Sequence, residues 1–140
     1  MPCYWLDTSV FIQAYQGAYS FDIVPAFWDF LQQQIENGVL RSPEPVLKEI
    51  KDGDQLAAWV DKIKSILSVQ PDQSVQSTYQ SIADHVRSNY QPYHTNRFLT
   101  GADGWVIAQA QVDSGTIVCQ ENRRKEKRAK IPVISDEFGV

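Results

Sequence analysis

The sequence predicts an α/β fold, a three-layer α/β/α sandwich with a central parallel sheet between two layers of helices. Two observations support this prediction: short apolar runs alternate with longer segments of helical periodicity, and turn residues separate the two kinds of segment. The hydrophobic fraction of 43% and the four tryptophans indicate a packed core rather than a disordered chain. At 140 residues, the chain has the length of one domain, so residues 1–140 are predicted to form a single domain.

The first predicted strand is the apolar run Tyr4, Trp5 and Leu6, and the helix at 8–16 follows it and stops at Gly17. A second helix begins at Pro25, which suits a first helical position, and ends before Gly38. Its spacing predicts one buried face, formed by Ile23, Phe27, Phe30, Leu31 and Ile35.

The middle of the chain repeats this alternation. A short strand at 39–41 precedes a short helix at 46–51, and an amphipathic helix at 54–67 follows the turn at Gly53. Residues 66–69 are predicted to form a small edge strand. Apolar residues at helical spacing within 74–90 predict another helix. Residues 91–101, which include Pro92, His94 and Asn96, are predicted to be a loop.

The last third begins with a helix at 102–112 and a buried strand at 116–119. Residues 120–130 are polar and strongly basic, and the apolar run 131–134 predicts a final strand. No internal repeat, low-complexity tract or second domain is visible.

Composition limits the function classes. Thirteen basic and seventeen acidic residues give a formal charge of −4, which is unlike a protein whose whole surface binds nucleic acid. The two cysteines, Cys3 and Cys119, form neither a disulfide framework nor a metal motif, and we expect them to be buried and reduced. No segment resembles a signal peptide or a membrane span, so the sequence predicts a cytoplasmic protein with no membrane contact.

Asp7 lies where the first predicted strand ends and the next helix begins. The carboxyl ends of strands form the edge at which ligands bind in open α/β sheets. An ordinary alternative is that Asp7, Thr8 or Ser9 caps the following helix. A binding role gains support only if other carboxylates reach the same edge.

Three other acidic residues occupy comparable positions. Glu49 lies in the short helix after the second strand, and Glu121 follows the strand at 116–119 by two residues. Asp103 begins the helix at 102–112, where Thr100 and Asp103 also have capping-box spacing. Each position has a structural alternative: a solvated acid for Glu49, a cap for Asp103 and a loop acid for Glu121.

Carboxylates gathered at one edge repel one another unless a cation neutralises them. A set of oxygen ligands without His or Cys suits Mg²⁺ or Mn²⁺ better than zinc. Such ions activate water and stabilise the transition state of phosphoryl transfer. His85 and His94 are not needed for this chemistry.

The segments LDTSVFI, VLKEI, ADGWVIAQA and TIVCQE, in that order, resemble a PIN domain. With the flanking segments FDIVPAFWDFL and KIPVISDEFGV, the whole chain resembles the PIN-like family DUF4411. The resemblance implies a parallel sheet of order 3-2-1-4-5 and a metal-dependent ribonuclease, often the toxin of a toxin–antitoxin pair, as in VapC-like toxins.

Carried over by position, Asp7, Glu49, Asp103 and Glu121 become the catalytic and metal-binding acids, and Ser9 helps to hold the Mg²⁺ or Mn²⁺ ion or its water. The implied partners are an RNA substrate and a cognate antitoxin protein, and a homodimer is compatible with the family. The chain differs from similar proteins in having Ser9 where Asn is frequent and Gly104 where Pro is frequent.

Two further groups are predicted to contact substrate. Thr8 lies between Asp7 and Ser9, where its hydroxyl can bind outer water or substrate. In residues 123–130, six of eight side chains are basic, and Arg123, Arg124 and Lys127 are predicted to attract the phosphate backbone. The alternative for this run is a solvated loop.

The sequence also fits two alternative functions to different degrees. A PIN-like module with weak or no catalysis could bind RNA or protein without cutting it. The differences from similar proteins at Ser9 and Gly104 would be consistent with such a loss of catalysis. A receiver-like signalling domain also gathers acids at strand ends, but it requires an acidic pair after the first strand, where this chain has only Asp7.

Overall fold

A parallel four-stranded sheet lies at the centre of the computed structural model, which describes residues 3–17, 19–51, 53–120 and 131–140. The strands are β1 (Tyr4–Leu6), β2 (Leu40–Pro43), β3 (Ser68–Val69) and β4 (Thr116–Val118), in the order β3-β2-β1-β4. The helices are α1 (Thr8–Gln16), α2 (Pro25–Glu36), α3 (Glu44–Lys48), α4 (Gln55–Leu67), α5 (Gln73–Asn89), α6 (Pro92–Thr100), α7 (Asp103–Asp113) and α8 (Ile131–Glu137). No helix within these ranges is long and apolar enough to cross a membrane.

The side chains of β1 divide between the two helical layers. Leu6 packs into the core shared with α1, α2 and α4, whereas Trp5 packs against Val46 of α3 and Val106 of α7. Successive side chains of a strand point to opposite faces of the sheet, so both layers bury a residue of this short strand. The predicted three-layer α/β fold is therefore confirmed.

The prediction of a fifth strand is wrong, because residues 131–134 begin helix α8. Ile131 and Ile134 are both buried, at the spacing of one helical turn, in the core shared with α5 and α7. Pro132 fits the first turn of a helix but would remove a hydrogen bond from a central strand. The order 3-2-1-4-5 is thus reduced to 3-2-1-4 within the described residues.

Helix α8 is also held to α5 through Glu137. The hydroxyl of Tyr90 donates to Glu137 Oε1 at 2.8 Å, and His85 Nε2 contacts Glu137 Oε2. Burial, together with the hydrogen bond and the charge of Glu137, raises the pKa of Tyr90 to about 12. His85 thus has a structural partner in helix α8, and the prediction that it is not needed for catalysis stays a prediction.

The segment predicted as a loop after α5 is helix α6. Pro92 occupies its first position, where a missing N–H costs no hydrogen bond. Thr95 and Phe98 form its buried side, and the Thr95 hydroxyl donates to the carbonyl of Val86 at 3.2 Å. Proline therefore starts a helix here.

The buried face of α2 also differs from its prediction. Trp28, Leu31 and Ile35 are the core residues, whereas Ile23 and Phe30 are 70% and 57% exposed. Trp28 stacks on the ring of Phe21 and donates from Nε1 to the carbonyl of Tyr19. Apolar residues lie on both sides of this helix, so the periodicity alone does not identify the core face.

The sheet order implied by the family resemblance places strands one and four side by side, and would bring Cys3 and Cys119 close together, but the structure places the two cysteines at opposite ends of the sheet. Tyr4 pairs with Thr116 and Leu6 with Val118, so Cys3 precedes β1 at one end and Cys119 follows β4 at the other. The offset of four residues corresponds to about 13 Å at about 3.3 Å per residue, beyond disulfide reach. Neither cysteine forms a disulfide, and both are partly buried. Burial, followed by the charge of Asp113, raises the pKa of the Cys3 thiol.

Candidate functional site

Asp7 connects β1 to α1 and is almost fully buried, with 3% of its surface exposed. It is the N-cap residue of α1, and its Oδ2 accepts hydrogen bonds from Ser9 Oγ at 2.8 Å and Ser9 N at 3.4 Å. Its other oxygen, Oδ1, is buried and has no hydrogen-bond partner among the residues that the structure describes. A buried carboxylate oxygen without a partner is costly, so capping alone does not explain this side chain.

Glu49 reaches the same region from the end of α3, where it is the C-cap residue. Its Oε1 accepts a hydrogen bond from the backbone N–H of Ala102 at 2.8 Å, although the residue as a whole is exposed. Burial of the carboxyl and then the negative charge of Asp7 raise its pKa, opposed by hydrogen bonds from Ala102 and Thr8. Asp7 and Glu49 are therefore close enough for the charge of one to act on the other.

Replacing Glu49 by Gln tests this electrostatic relation. A carboxyl whose pKa is raised in the folded state binds its proton more tightly there, so wild-type stability declines as pH rises above the ordinary value of 4.5. The Gln variant lacks this decline, so its stability relative to wild type should increase from pH 4 to pH 7. Water screens the exposed part of Glu49, so we expect a small difference in urea denaturation. A constant difference across this pH range would contradict the raised pKa of Glu49.

Asp103 is the first residue of α7 and follows Ala102, the residue that binds Glu49. The predicted capping box is absent, because Ala102 is the N-cap residue and makes no side-chain cap. The Thr100 hydroxyl instead donates to the carbonyl of Arg97, within the preceding helix, at 3.1 Å. The start of α7 thus places Asp103 beside the Glu49 contact.

Ser9 links Asp7 to the segment that follows β4. Its hydroxyl donates to Asp7 Oδ2 and accepts a hydrogen bond from the backbone N–H of Gln120 at 3.0 Å. One hydroxyl can do both, since it carries one donor and two acceptor lone pairs. The chain immediately before Glu121 is therefore held next to Asp7. Glu121 itself lies outside the described residues, as do Arg123, Arg124 and Lys127.

Thr8 is buried, and its hydroxyl donates to the carbonyl of Val46 in α3 at 3.3 Å. The Thr8 hydroxyl also lies close to the Glu49 carboxyl and lowers its pKa. Thr8 therefore joins α1 to α3 and helps to position Glu49. Its predicted contact with substrate stays a prediction.

The donor chemistry at this edge fits a hard divalent cation in part. Asp7 offers a buried oxygen without a partner, and Glu49 offers a second carboxylate close to it. Within the described ranges, however, no three His, Cys, Asp or Glu side chains lie close enough together to hold a metal ion. The four-acid site thus stays a prediction.

Two contributors to the site could not be found from side-chain patterns. The N–H groups of Ala102 and Gln120 bind Glu49 and Ser9, respectively, but a backbone donor has no signature in the sequence.

The presence of glycine at position 104, where similar proteins frequently have Pro, has a structural explanation. A Cβ there would lie 2.8 Å from Cε2 of Tyr79. The Tyr79 ring stacks on Trp105 at 3.9 Å between ring centroids, so Gly104 makes room for this stack.

Comparisons with known proteins agree with this architecture. The family model described as "Domain of unknown function (DUF4411)" matches residues 4–140. The crystal structure of VapBC2 from Rickettsia felis bound to a DNA fragment from their promoter aligns with a TM-score of 0.54 and 13% identity. The alignment covers 88% of this chain and 90% of that chain. No curated protein matches the sequence. The expected PIN-like fold is thereby confirmed.

Proposed function

We propose, from the premise that the chain belongs to the DUF4411 family and has a PIN-like fold, that it is a metal-dependent endoribonuclease. It hydrolyses RNA phosphodiester bonds as a single cytoplasmic domain and is the toxin of a type II toxin–antitoxin pair. The observation that carries this proposal is the buried Asp7 Oδ1 at the end of β1, which has no partner in the described part of the chain and lies within reach of the charge of Glu49.

In the proposed site, Asp7, Glu49, Asp103 and Glu121 hold one or two Mg²⁺ or Mn²⁺ ions, with Ser9 in support. Such an ion supplies a water of lowered pKa and neutralises charge that develops on the leaving oxygen. The Ser9 hydroxyl fixes the orientation of Asp7, so Oδ1 stays directed away from the cap. The Ala102 N–H binds Glu49 Oε1, and together with Thr8 it opposes the rise in the pKa of that carboxyl.

The partner proposal draws on the structural neighbour. That structure contains VapBC2 with a DNA fragment from its promoter. By analogy, the present chain pairs with an antitoxin protein, and a homodimer is compatible with this assembly. Its substrate is RNA, because PIN-like toxins of this kind are ribonucleases.

A second candidate function has an observation in its favour. The described residues contain no three-ligand metal cluster, which suits a PIN-like module that binds RNA or protein with weak or no catalysis. Titration with Mn²⁺ or Mg²⁺ separates the two functions. We expect cleavage of a 5′-labelled RNA to rise with added metal and to stop with EDTA. Binding of the RNA without cleavage at any metal concentration would favour the second candidate.

The basic residues Arg123, Arg124 and Lys127 are proposed to guide the RNA to the carboxylates. Replacing all three by Glu should weaken RNA binding and flatten its dependence on salt, because fewer counterions are released. Metal affinity should change little, since these residues donate no ligand. Unchanged RNA affinity in the triple variant would instead identify the run as a solvated loop. Affinity at several salt concentrations, measured by fluorescence anisotropy, makes the distinction.

A further inference from the structure

Helix α6 differs in charge from every other described helix. It contains Arg97 and no acidic residue, whereas each of the others has acidic residues, both signs or no charge. Within the described part of the chain, the Arg97 guanidinium makes no ion pair. In a protein with a formal charge of −4, this helix therefore presents an isolated cation.

The exposed side chains of α6 line up along one face. Tyr93, Asn96, Arg97 and Thr100 are all exposed and have the i, i+3, i+4, i+7 spacing of a single helical stripe. Tyr93 is the most exposed aromatic side chain described, at 68%, and its ring meets that of His94 in a T-shaped arrangement, with the centroids 5.3 Å apart. Because Thr95 and Phe98 bury the opposite side, this stripe is not needed to hold the helix in place.

The carboxyl end of α6 lies against the candidate site. A Cβ on Gly101 would lie 3.9 Å from both the carbonyl oxygen of Arg97 and Glu49 Oε1. The next residue, Ala102, donates to that same Glu49 oxygen. At about 1.5 Å per residue, the seven-residue path from Tyr93 to Thr100 spans about 10 Å. The stripe thus extends along the helix for about 10 Å and ends at Thr100, next to the residue that approaches Glu49.

We propose that this stripe binds single-stranded RNA on its way into the carboxylate site, with Tyr93 stacking on a base and Arg97 binding a phosphate. The inference rests on the proposed ribonuclease function and names residues that position its substrate. Every base has a π face, so an exposed tyrosine can bind RNA without selecting a sequence. Arg97 supplies the charge that a phosphate backbone requires near a carboxylate site. Asn96 adds a neutral donor between these two contacts.

Binding and cleavage are best separated in an Asp7→Asn background, with a fluorescein-labelled oligouridine as the probe. In this background, Tyr93→Ala should weaken binding by about fivefold to 100-fold, the range for loss of one stacked base, whereas Tyr93→Phe should retain it. Arg97→Gln should lower the slope of log affinity against log salt by about one. Two matched controls, Tyr19→Ala and Lys62→Gln, remove an exposed tyrosine and an exposed lysine elsewhere and should leave binding unchanged.

The length of the RNA provides a second measurement. A uridine dinucleotide has only one nucleotide on each side of the cleaved phosphate, so Tyr93→Ala should alter its cleavage by the otherwise wild-type protein less than it alters cleavage of the longer oligouridine. Cleavage of the longer oligouridine should instead show a raised KM with a nearly unchanged kcat. An equal loss on both substrates would overturn the inference.

The two proposals fail in different ways. If wild type cleaves RNA with metal but the Tyr93 and Arg97 variants bind the oligouridine normally, the α6 inference is wrong and the nuclease proposal stands. If wild type never cleaves RNA but both variants weaken its binding, the stripe is supported and the nuclease proposal is wrong.

Discussion

Asp7→Asn is expected to lower metal-dependent RNA cleavage by at least about 100-fold, the effect of losing one preorganised electrostatic contact in an active site. The Asn side chain can still accept hydrogen bonds from Ser9, but it is a poor ligand for a hard cation. Stability without metal should stay level or rise, because the change removes a buried charge near Glu49. Initial cleavage rates at saturating Mn²⁺ and urea denaturation curves provide the two measurements.

Asp72→Asn is the matched control, because Asp72 is also a helix N-cap residue. Its Oδ1 accepts from the backbone N–H of Val75 at 2.9 Å, at the start of α5. Asn and Asp are similar N-caps, so a carboxylate that only caps should tolerate this change. We expect the Asp72 variant to cleave RNA at the wild-type rate. If the Asp7 variant does the same, Asp7 is a cap and the proposed metal site is wrong.

Trp28→Ala is expected to destabilise the protein by about 3–5 kcal/mol, the usual cost of removing a large aromatic side chain from a core. Trp28 is 2% exposed, and its ring lies between those of Phe21 and Trp59, at centroid distances of 4.2 Å and 5.0 Å. The substitution also leaves the carbonyl of Tyr19 without its indole donor. Urea denaturation monitored by circular dichroism measures the loss, since it does not depend on tryptophan fluorescence.

Phe30→Ala is the matched control, because Phe30 lies on the same helix but is 57% exposed. A substitution at such a surface position usually changes stability by no more than about 0.5 kcal/mol. The sequence alone places Phe30 in the core, so the pair of variants also tests which face of α2 is buried. Equal losses at Trp28 and Phe30 would contradict the structure.

Local patterns in the sequence were sufficient for the centre of the fold. An apolar run, an acid and a helix start identified β1, Asp7 and α1, because each signal lies within a few adjacent residues. The alternation of strands and helices similarly identified the parallel sheet. These features depend on neighbours in sequence, which is the information that a single chain contains.

Features that depend on tertiary contacts were missed. Pro92 led to the prediction of a loop in the segment that forms α6. In the structure Pro92 occupies the first turn of this helix, and the helix is recognisable only from the burial of Thr95 and Phe98. The apolar residues of α8 were too few to distinguish a strand from a helix until their packing on α5 and α7 was known. The position of Glu49 depends on the Ala102 N–H, which is 53 residues away in sequence. The distance between the two cysteines similarly depends on the register of β1 against β4. That register cannot be deduced from the fact that the two strands are neighbours.

The division of β1 between the two helical layers restricts how this part of the gene can vary. Inserting or deleting one codon between Trp5 and Asp7 would send each following side chain to the wrong layer and move the carboxylate away from the sheet edge. Point substitutions that keep an apolar residue preserve the alternation. Alignments of related chains should therefore contain no gap between Trp5 and Ser9, even where overall identity is as low as 13%.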